Sequence, residues 1–132
     1  MSVELTYLTL SVALLFVLVL VQAFSAVHAQ GPKAMATNRD DLPAPKPFQG
    51  RTKRMVDNLR ENMLIFAPLV LIAAHYELSN FWTVLGAQLF FYARVGHAAF
   101  YIFGPQILRS LAWFVGVVGC VLIFLALFGV LQ

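Results

Sequence analysis

Charged residues are scarce in this sequence: they make up 11% of the 132 residues, against about 25% in a typical soluble domain. Cysteine occurs once, as Cys120 within an apolar run, which excludes an internal disulfide and gives no electropositive setting for a catalytic thiol. Glycine-rich phosphate loops, serine nucleophile elbows and dinucleotide fingerprints are also absent. Hydrophobic residues are abundant and make up 61% of the sequence. This composition predicts an integral membrane protein.

The net charge of +3 comes largely from one polar interlude between His28 and Arg54, where Lys and Arg outnumber Asp40 and Asp41. A short loop rich in Lys and Arg is typical of the cytoplasmic side of a membrane protein. This rule explains the cluster without nucleic acid, which is not expected to be a partner. The three histidines do not show metal-ligand spacing, so no metal site is expected either.

Apolar runs and breakers predict an all-α protein, an integral membrane four-helix bundle that forms a single domain. A span needs about 20 residues of helix, and the predicted spans cover residues 5–27, 51–76, 81–103 and 107–131, with a proline-rich cytoplasmic loop at 28–50. With that loop inside, both termini are periplasmic. One alternative is that the first span is a cleaved signal peptide, but its flank lacks Lys and Arg and its apolar stretch is too long.

The second predicted helix has a polar face. Arg54, Asn58, Glu61 and Ile65 recur at helical spacing, so they share one side of the helix. An ionised carboxylate within a membrane costs roughly 2 to 3 kcal/mol unless it is paired or faces a cavity. Glu61 therefore needs partners from other helices.

The third predicted helix supplies candidates, because Arg94, His97 and Tyr101 share one face. At about 1.5 Å per residue, Glu61 and Arg94 both lie about 15 Å from the cytoplasmic end of neighbouring antiparallel helices, so they can meet. The residues predict a cytoplasm-facing pocket for a small, multiply anionic ligand, in which arginine grips carboxylates and lowers the pKa of a ligand thiol. Its lining is Arg54, Asn58, Glu61, Arg94, Tyr101 and Arg109.

Most of these residues also have a purely structural interpretation. Glu61 and Arg94 can form a buried ion pair, and His97 can be a hydrogen-bonding residue between helices. The candidates Arg54, Tyr101 and Arg109 can be interfacial anchors without a ligand, and the neighbouring Arg51 and Lys53 are expected to be such anchors.

Four stretches resemble one family, the membrane-associated proteins in eicosanoid and glutathione metabolism (MAPEG). RTKRMVDNLRENMLIF, from Arg51, is similar to the family's second helix with its Arg, Asn and Glu pattern. ARVGHAAFY, from Ala93, is similar to its third helix, and LRS at Leu108–Ser110 resembles the start of its fourth. NRDD, from Asn38, looks like the loop of bacterial members. Val56 departs from the pattern, since several characterised enzymes have histidine or glutamine there.

The resemblance implies a homotrimer that binds glutathione between subunits near the cytoplasmic face. It implies that Arg109 stabilises the glutathione thiolate and that Asp41 and Ser110 support catalysis. The tripeptide would be held by the other family-like residues, namely Arg54, Asn58, Glu61, Arg94 and Tyr101.

The leading hypothesis is accordingly a glutathione transferase or peroxidase of the bacterial inner membrane. Its expected partners are two further copies of itself in a homotrimer, membrane lipids and a hydrophobic electrophile or lipid hydroperoxide. The alternative is a non-catalytic membrane scaffold or lipid-binding protein of the same fold, because fold transfers between relatives more safely than reaction does.

Overall fold

The computed structural model describes all residues, 1–132, and contains helices without strands, which confirms the predicted all-α class. Four helices are long and one is short. In chain order they are α1 (Val3–Gln30), α2 (Pro32–Ala36), α3 (Pro47–His75), α4 (Phe81–Phe103) and α5 (Gln106–Leu127).

Helices α1 and α5 are long and apolar enough to cross a membrane. Many of their large apolar side chains are exposed, including Phe16 and Phe24 on α1 and Phe114 on α5. Helices α3 and α4 do not meet the same criterion of length and composition. The reason is visible in the sequence, since the first half of α3 is rich in charged residues and α4 carries Arg94.

The loop predicted at residues 28–50 is shorter in the structure. Helix α1 continues to Gln30, α2 occupies Pro32–Ala36, and α3 begins at Pro47. Prolines were expected to exclude helix here, but Pro32 and Pro47 stand at helix starts, where the missing N–H has no intrahelical partner in any case. Gly31, with φ of 89°, separates α1 from α2.

The turn predicted between the second and third spans is present at residues 76–80. At the end of α3 the Leu78 N–H donates to Ala73 O and the Glu77 N–H donates to Ala74 O, which is a Schellman ending with Glu77 at φ of 52°. Asn80 then caps α4 by accepting from the Trp82 and Thr83 N–H groups at 2.9 and 3.0 Å. The C-terminus of α3 and the N-terminus of α4, which flank the turn, are therefore both capped.

Helices α4 and α5 make the most extensive contact in the molecule. Gly86 and Gly119 face each other, and a Cβ placed on either would lie 2.5 Å from the other's carbonyl oxygen. Small residues that let helix backbones approach in this way are typical of packing in membranes.

Helices α3 and α4 share an apolar core, in which the rings of Phe66 and Phe90 stack with centroids 3.8 Å apart. Helix α1 joins this core through buried polar contacts. The Ser25 and Thr52 hydroxyls are 2.9 Å apart, and the Thr83 hydroxyl donates to Glu4 Oε1 at 2.5 Å. These contacts leave the polar sides of α3, α4 and α5 to form a separate site near the start of α3.

Candidate functional site

The polar face predicted on α3 is present on the open side of that helix. Arg54, Glu61 and Ile65 are exposed and Asn58 is half-buried. The opposite side of the helix is apolar and buried, with Phe66 fully covered. The burial pattern of α3 therefore turns its ionisable residues away from the core.

Arg94, on α4, is the one fully buried arginine, with 2% of its surface exposed. Its Nη2 donates to Asn58 Oδ1 on α3 and contacts His97 Nδ1 at 3.3 Å. Its Nε and Nη1 are buried and have no acceptor within the chain. A buried guanidinium with unpaired N–H groups is unfavourable by several kcal/mol, about 1 to 3 kcal/mol or more for each orphaned donor.

Asn62 adds a second contact to Asn58. The Asn62 Nδ2 donates to the Asn58 backbone carbonyl at 2.8 Å, one helical turn away on α3, and lies 3.4 Å from Asn58 Oδ1. Because Asn58 Oδ1 accepts from Arg94, the two helices are joined by a polar bridge inside an otherwise apolar contact.

Tyr101 lies between two further arginines. The Arg54 Nε donates to Tyr101 Oη at 3.1 Å, and the Arg109 guanidinium lies 4.4 Å from the centre of the Tyr101 ring. The second contact is a cation–π interaction, which positions the charge without a carboxylate. Since Tyr101 Oη accepts from Arg54, its own proton stays available for donation to an anion.

These side chains surround an open cavity of about 300 Å³ among α3, α4 and α5. Its lining contains an arginine and no carboxylate, and the buried guanidinium of Arg94 is hydrogen-bonded to two of the lining side chains. The lining residues are Asn58, His97, Tyr101, Arg109, Ser110 and Trp113.

The expected contact between Glu61 and Arg94 is absent, which corrects that prediction. Asn58 is the partner of Arg94 on α3, and Glu61 is exposed and forms no ion pair. The ion pairs of the chain join Asp57 to Lys53 at 2.7 Å and to Arg60 at 2.6 Å. The depth argument counted residues from Arg51, but α3 begins at Pro47. Asn58 lies on the same side of α3 as Glu61 and about 4.5 Å nearer the start of the helix, and it is Asn58 that reaches Arg94.

Of the other predicted residues, Arg54 reaches the site through Tyr101, and Ser110 lines the cavity while its hydroxyl donates to the Gln106 carbonyl at 3.1 Å. Asp41 is exposed in the segment between α2 and α3 and does not line the cavity.

Trp113 and Asn62 belong to the site but were not among the predicted site residues. Both could have been found by extending the helical spacing, since Trp113 lies one turn after Arg109 and Asn62 one turn after Asn58. His97 was recognised on the correct face and expected to act as a structural hydrogen-bonding residue, and it lines the cavity as well.

A second cavity, the α3–α5 groove, lies further along the same pair of helices. It measures about 420 Å³ and is lined mainly by apolar side chains, including Ile65 and Pro68 on α3 and Val117 and Val121 on α5. Asn62 lines it too and is hydrogen-bonded to Asn58 of the polar cavity. A polar, cationic cavity and an apolar groove therefore lie in sequence along α3 and α5.

Comparison with known proteins gives one match. The sequence model of the MAPEG family matches residues 5–129, which is nearly the whole chain. No curated protein matches, and no solved structure matches.

Proposed function

Because the chain belongs to the MAPEG family, we propose that it is a glutathione transferase or peroxidase that acts on hydrophobic electrophiles or lipid hydroperoxides. The family consists of helical membrane proteins that generally use glutathione as substrate or cofactor. The protein is accordingly an integral membrane protein. The observation that carries the more specific proposal is the buried guanidinium of Arg94.

Arg94 has two buried nitrogens, Nε and Nη1, whose N–H groups have no acceptor, beside a cavity whose lining contains no carboxylate. An anionic ligand would supply acceptors, since hydrogen bonds from a guanidinium to a carboxylate are charge-assisted and stronger than those to a neutral group. The unpaired donors thus favour a carboxylate ligand over a neutral one.

Glutathione fits this arrangement by its chemistry. At neutral pH it carries two carboxylates, one ammonium group and a thiol. Arg94 and Arg54 would take the carboxylates, and Asn58 and Tyr101 would add hydrogen bonds. Glu61, which is exposed on the same side of α3, would pair with the ammonium group.

Arg109 is the proposed catalytic residue. Its guanidinium lies over the Tyr101 ring and lines the cavity, so a positive charge is held there without a neutralising carboxylate. The glutathione thiol supplies the nucleophile or the reductant, and a nearby cation raises the fraction of thiolate. Ser110, the next residue, offers its hydroxyl to the same cavity. Asp41 remains a candidate for support of catalysis.

The α3–α5 groove is the proposed site of the hydrophobic acceptor. Its apolar lining and its exposure on the membrane-embedded part of the helices suit a substrate that arrives from lipid. Such a substrate would reach the polar cavity along α3 and α5 without passing through water.

The proposed assembly is a homotrimer of four-span protomers in a bacterial inner membrane, with both termini periplasmic and the α1–α3 connection cytoplasmic. The basic residues of that connection support the orientation. The exposed side of α3, which combines Glu61 with Leu64 and Ile65, supports a contact with another copy.

The test is the ultraviolet absorbance of thiolate when purified protein in detergent is mixed with glutathione. The parent should give a thiolate signal, and Arg109→Ala should lose it together with about 100-fold or more of any turnover, the usual effect of removing one charge-stabilising donor. Arg51→Ala is the matched control, because Arg51 is exposed and does not line the cavity.

Absence of a thiolate signal in the parent, with no increase of thermal stability by glutathione, would exclude the proposal. The non-catalytic scaffold or lipid-binding protein would then be the better hypothesis. If Arg51→Ala lost the thiolate signal to the same degree as Arg109→Ala, Arg109 would not be the residue that stabilises the thiolate.

A further inference from the structure

A third cavity, which we call the loop groove, lies on the outer surface of α1 and is separate from the polar site. It measures about 420 Å³, and none of its lining residues lines the polar cavity. Val19, Ala23 and Val27 form its wall on α1, and Leu42 of the segment before α3 also lines it. The wall is exposed, with Val19 42% and Val27 40% accessible.

The charged residues that line the loop groove are both cations, Arg39 and Lys53. The Lys53 ammonium is paired with Asp57 at 2.7 Å, so its charge is partly neutralised. The Arg39 Nε donates to the Met35 carbonyl at 3.0 Å, and its Nη groups make no hydrogen bond and no ion pair within the chain. Asp40 is exposed and forms no ion pair with it. Arg39 therefore offers an unneutralised guanidinium at the mouth of an apolar groove.

Gln49 adds a polar group at the same end. Its Oε1 accepts from the Gln30 amide at 3.1 Å, so its own amide N–H groups remain free to donate. Gln22, which lies beside Ala23 on the α1 wall, also makes no side-chain hydrogen bond within the chain. The polar end of the groove thus offers hydrogen-bond donors as well as positive charge.

The apolar and cationic ends of the groove are arranged along the membrane normal in the same order as the acyl chains and the headgroup of a lipid. Val19 lies about 16 Å along the helix axis from Gln30, the last residue of α1, at about 1.5 Å per residue. Since α1 is long enough to cross the membrane, the apolar end lies at hydrocarbon depth and the cationic end at the level of the headgroups. A second copy packing there through an apolar surface would leave the Arg39 charge without a counter-ion.

We propose that the loop groove binds one anionic phospholipid, with the headgroup phosphate on Arg39 and an acyl chain along Val19 and Ala23. The phosphate of such a lipid would supply a counter-ion for the Arg39 guanidinium, and its acyl chain would cover the exposed α1 wall. The lipid would also hold the segment between α2 and α3 at the membrane surface, because Leu42 of that segment lines the same groove.

The experiment measures lipid retained per chain by native mass spectrometry, with the delipidated full chain in mixed micelles of phosphatidylglycerol or phosphatidylcholine. The parent should retain one phosphatidylglycerol per chain in preference to phosphatidylcholine. Arg39→Gln should weaken that retention about fivefold, the loss expected for one cation near an anionic lipid surface. Ala23→Phe should weaken it by filling the groove.

The matched control is Lys33→Gln, which removes an exposed cation of α2 that does not line the groove and should leave retention unchanged. Arg39 is exposed, so its substitution decides the question even where Ala23→Phe fails to fold. Glycerol phosphate, which has the headgroup charge without acyl chains, should not displace the lipid.

Equal retention of the two lipids, or equal losses in Arg39→Gln and Lys33→Gln, would overturn the proposal in favour of unspecific surface charge. Displacement by glycerol phosphate would reduce the groove to a phosphate site. Disulfide-linked dimers of Ala23→Cys in the membrane would show that a second copy covers the α1 wall instead.

Discussion

Arg94 illustrates how one residue can be unfavourable for folding and useful for binding. Its guanidinium is buried, yet only Nη2 has partners within the chain. Removing a charge from water costs several kcal/mol, which a single amide oxygen does not repay. We therefore expect the apo protein to tolerate the loss of this charge and the liganded protein to depend on it.

We predict that Arg94→Met leaves the free energy of unfolding unchanged or raises it by about 1–4 kcal/mol, as replacement of buried charges by apolar groups often does. In the parent, glutathione at about 100 times its Kd should add about 2.7 kcal/mol. In Arg94→Met this addition should vanish. Thermal unfolding in detergent, with and without glutathione, measures both.

Arg60→Met is the control, because Arg60 is exposed and pairs only with Asp57 on its own helix. It should keep the full response to glutathione. A loss of about 3 kcal/mol or more in apo Arg94→Met would instead identify the guanidinium as a structural contact.

At the scale of helices, the contact between α4 and α5 depends on two glycines. A Cβ on Gly86 would lie 2.5 Å from Gly119 O and 2.7 Å from Ile123 Cγ1. We predict that Gly86→Ala lowers the free energy of unfolding by about 1–3 kcal/mol through overpacking, although alanine is the better helix former. The thermal unfolding midpoint in detergent measures this effect.

Gly96→Ala on the same helix is the matched control, because the nearest atom to its Cβ would be Phe100 Cε2 at 3.7 Å, an ordinary contact. It should leave stability unchanged or raise it by about 0.5–1 kcal/mol. If both variants gained stability equally, the glycine contact would not set the distance between α4 and α5.

Most helix positions could be predicted from the sequence, because apolar length and breaker residues are local signals. α4 covers the same residues, 81–103, as the third predicted helix. The ends were less predictable: Pro32 and Pro47 begin helices, and α5 stops at Leu127 because Gly129 takes φ of 72° after it. Proline predicts a break without saying on which side of it a helix lies.

The site was predictable where one helix face sufficed and less predictable where the heights of two helices had to be matched. Arg94, His97 and Tyr101 share a face by spacing alone, and the structure gathers them at one cavity. Glu61 was expected to face Arg94, but Asn58, three residues nearer the start of α3, contacts it instead. The relative height of the two helices is set by packing such as the Phe66–Phe90 stack, which spacing within one helix does not encode.

At the scale of the whole molecule, the exposed side of α3 presents apolar side chains that no other helix of the chain covers. Glu61 lies there beside Leu64, which is 73% accessible, and Ile65, which is 58% accessible. A carboxylate in such surroundings needs a cation from a ligand or from another copy. The trimer proposed above provides for both, since glutathione would bind where two copies meet.

We predict that Glu61→Gln keeps the trimer but weakens glutathione binding about tenfold or more, as expected for the loss of one charged hydrogen bond. The mass of the detergent complex reports the assembly, and calorimetric titration with glutathione reports the affinity. Glu77→Gln is the control, because Glu77 is exposed in the turn after α3. Dissociation of the Glu61→Gln trimer without a change in affinity would give Glu61 an assembly role only.

The buried carboxylate of Glu4 also bears on how the chain is made. Its Oε1 accepts from the Thr83 and Ser79 hydroxyls, while Oε2 is buried without a partner. Because synthesis proceeds from the N-terminus, α1 is complete well before either hydroxyl has been translated. The Glu4 side chain is therefore expected to stay in the aqueous or headgroup layer until the start of α4 has been synthesised. Formation of the hydrogen bonds from Ser79 and Thr83 to Glu4 would then mark the stage of biogenesis at which α1 packs against the other helices.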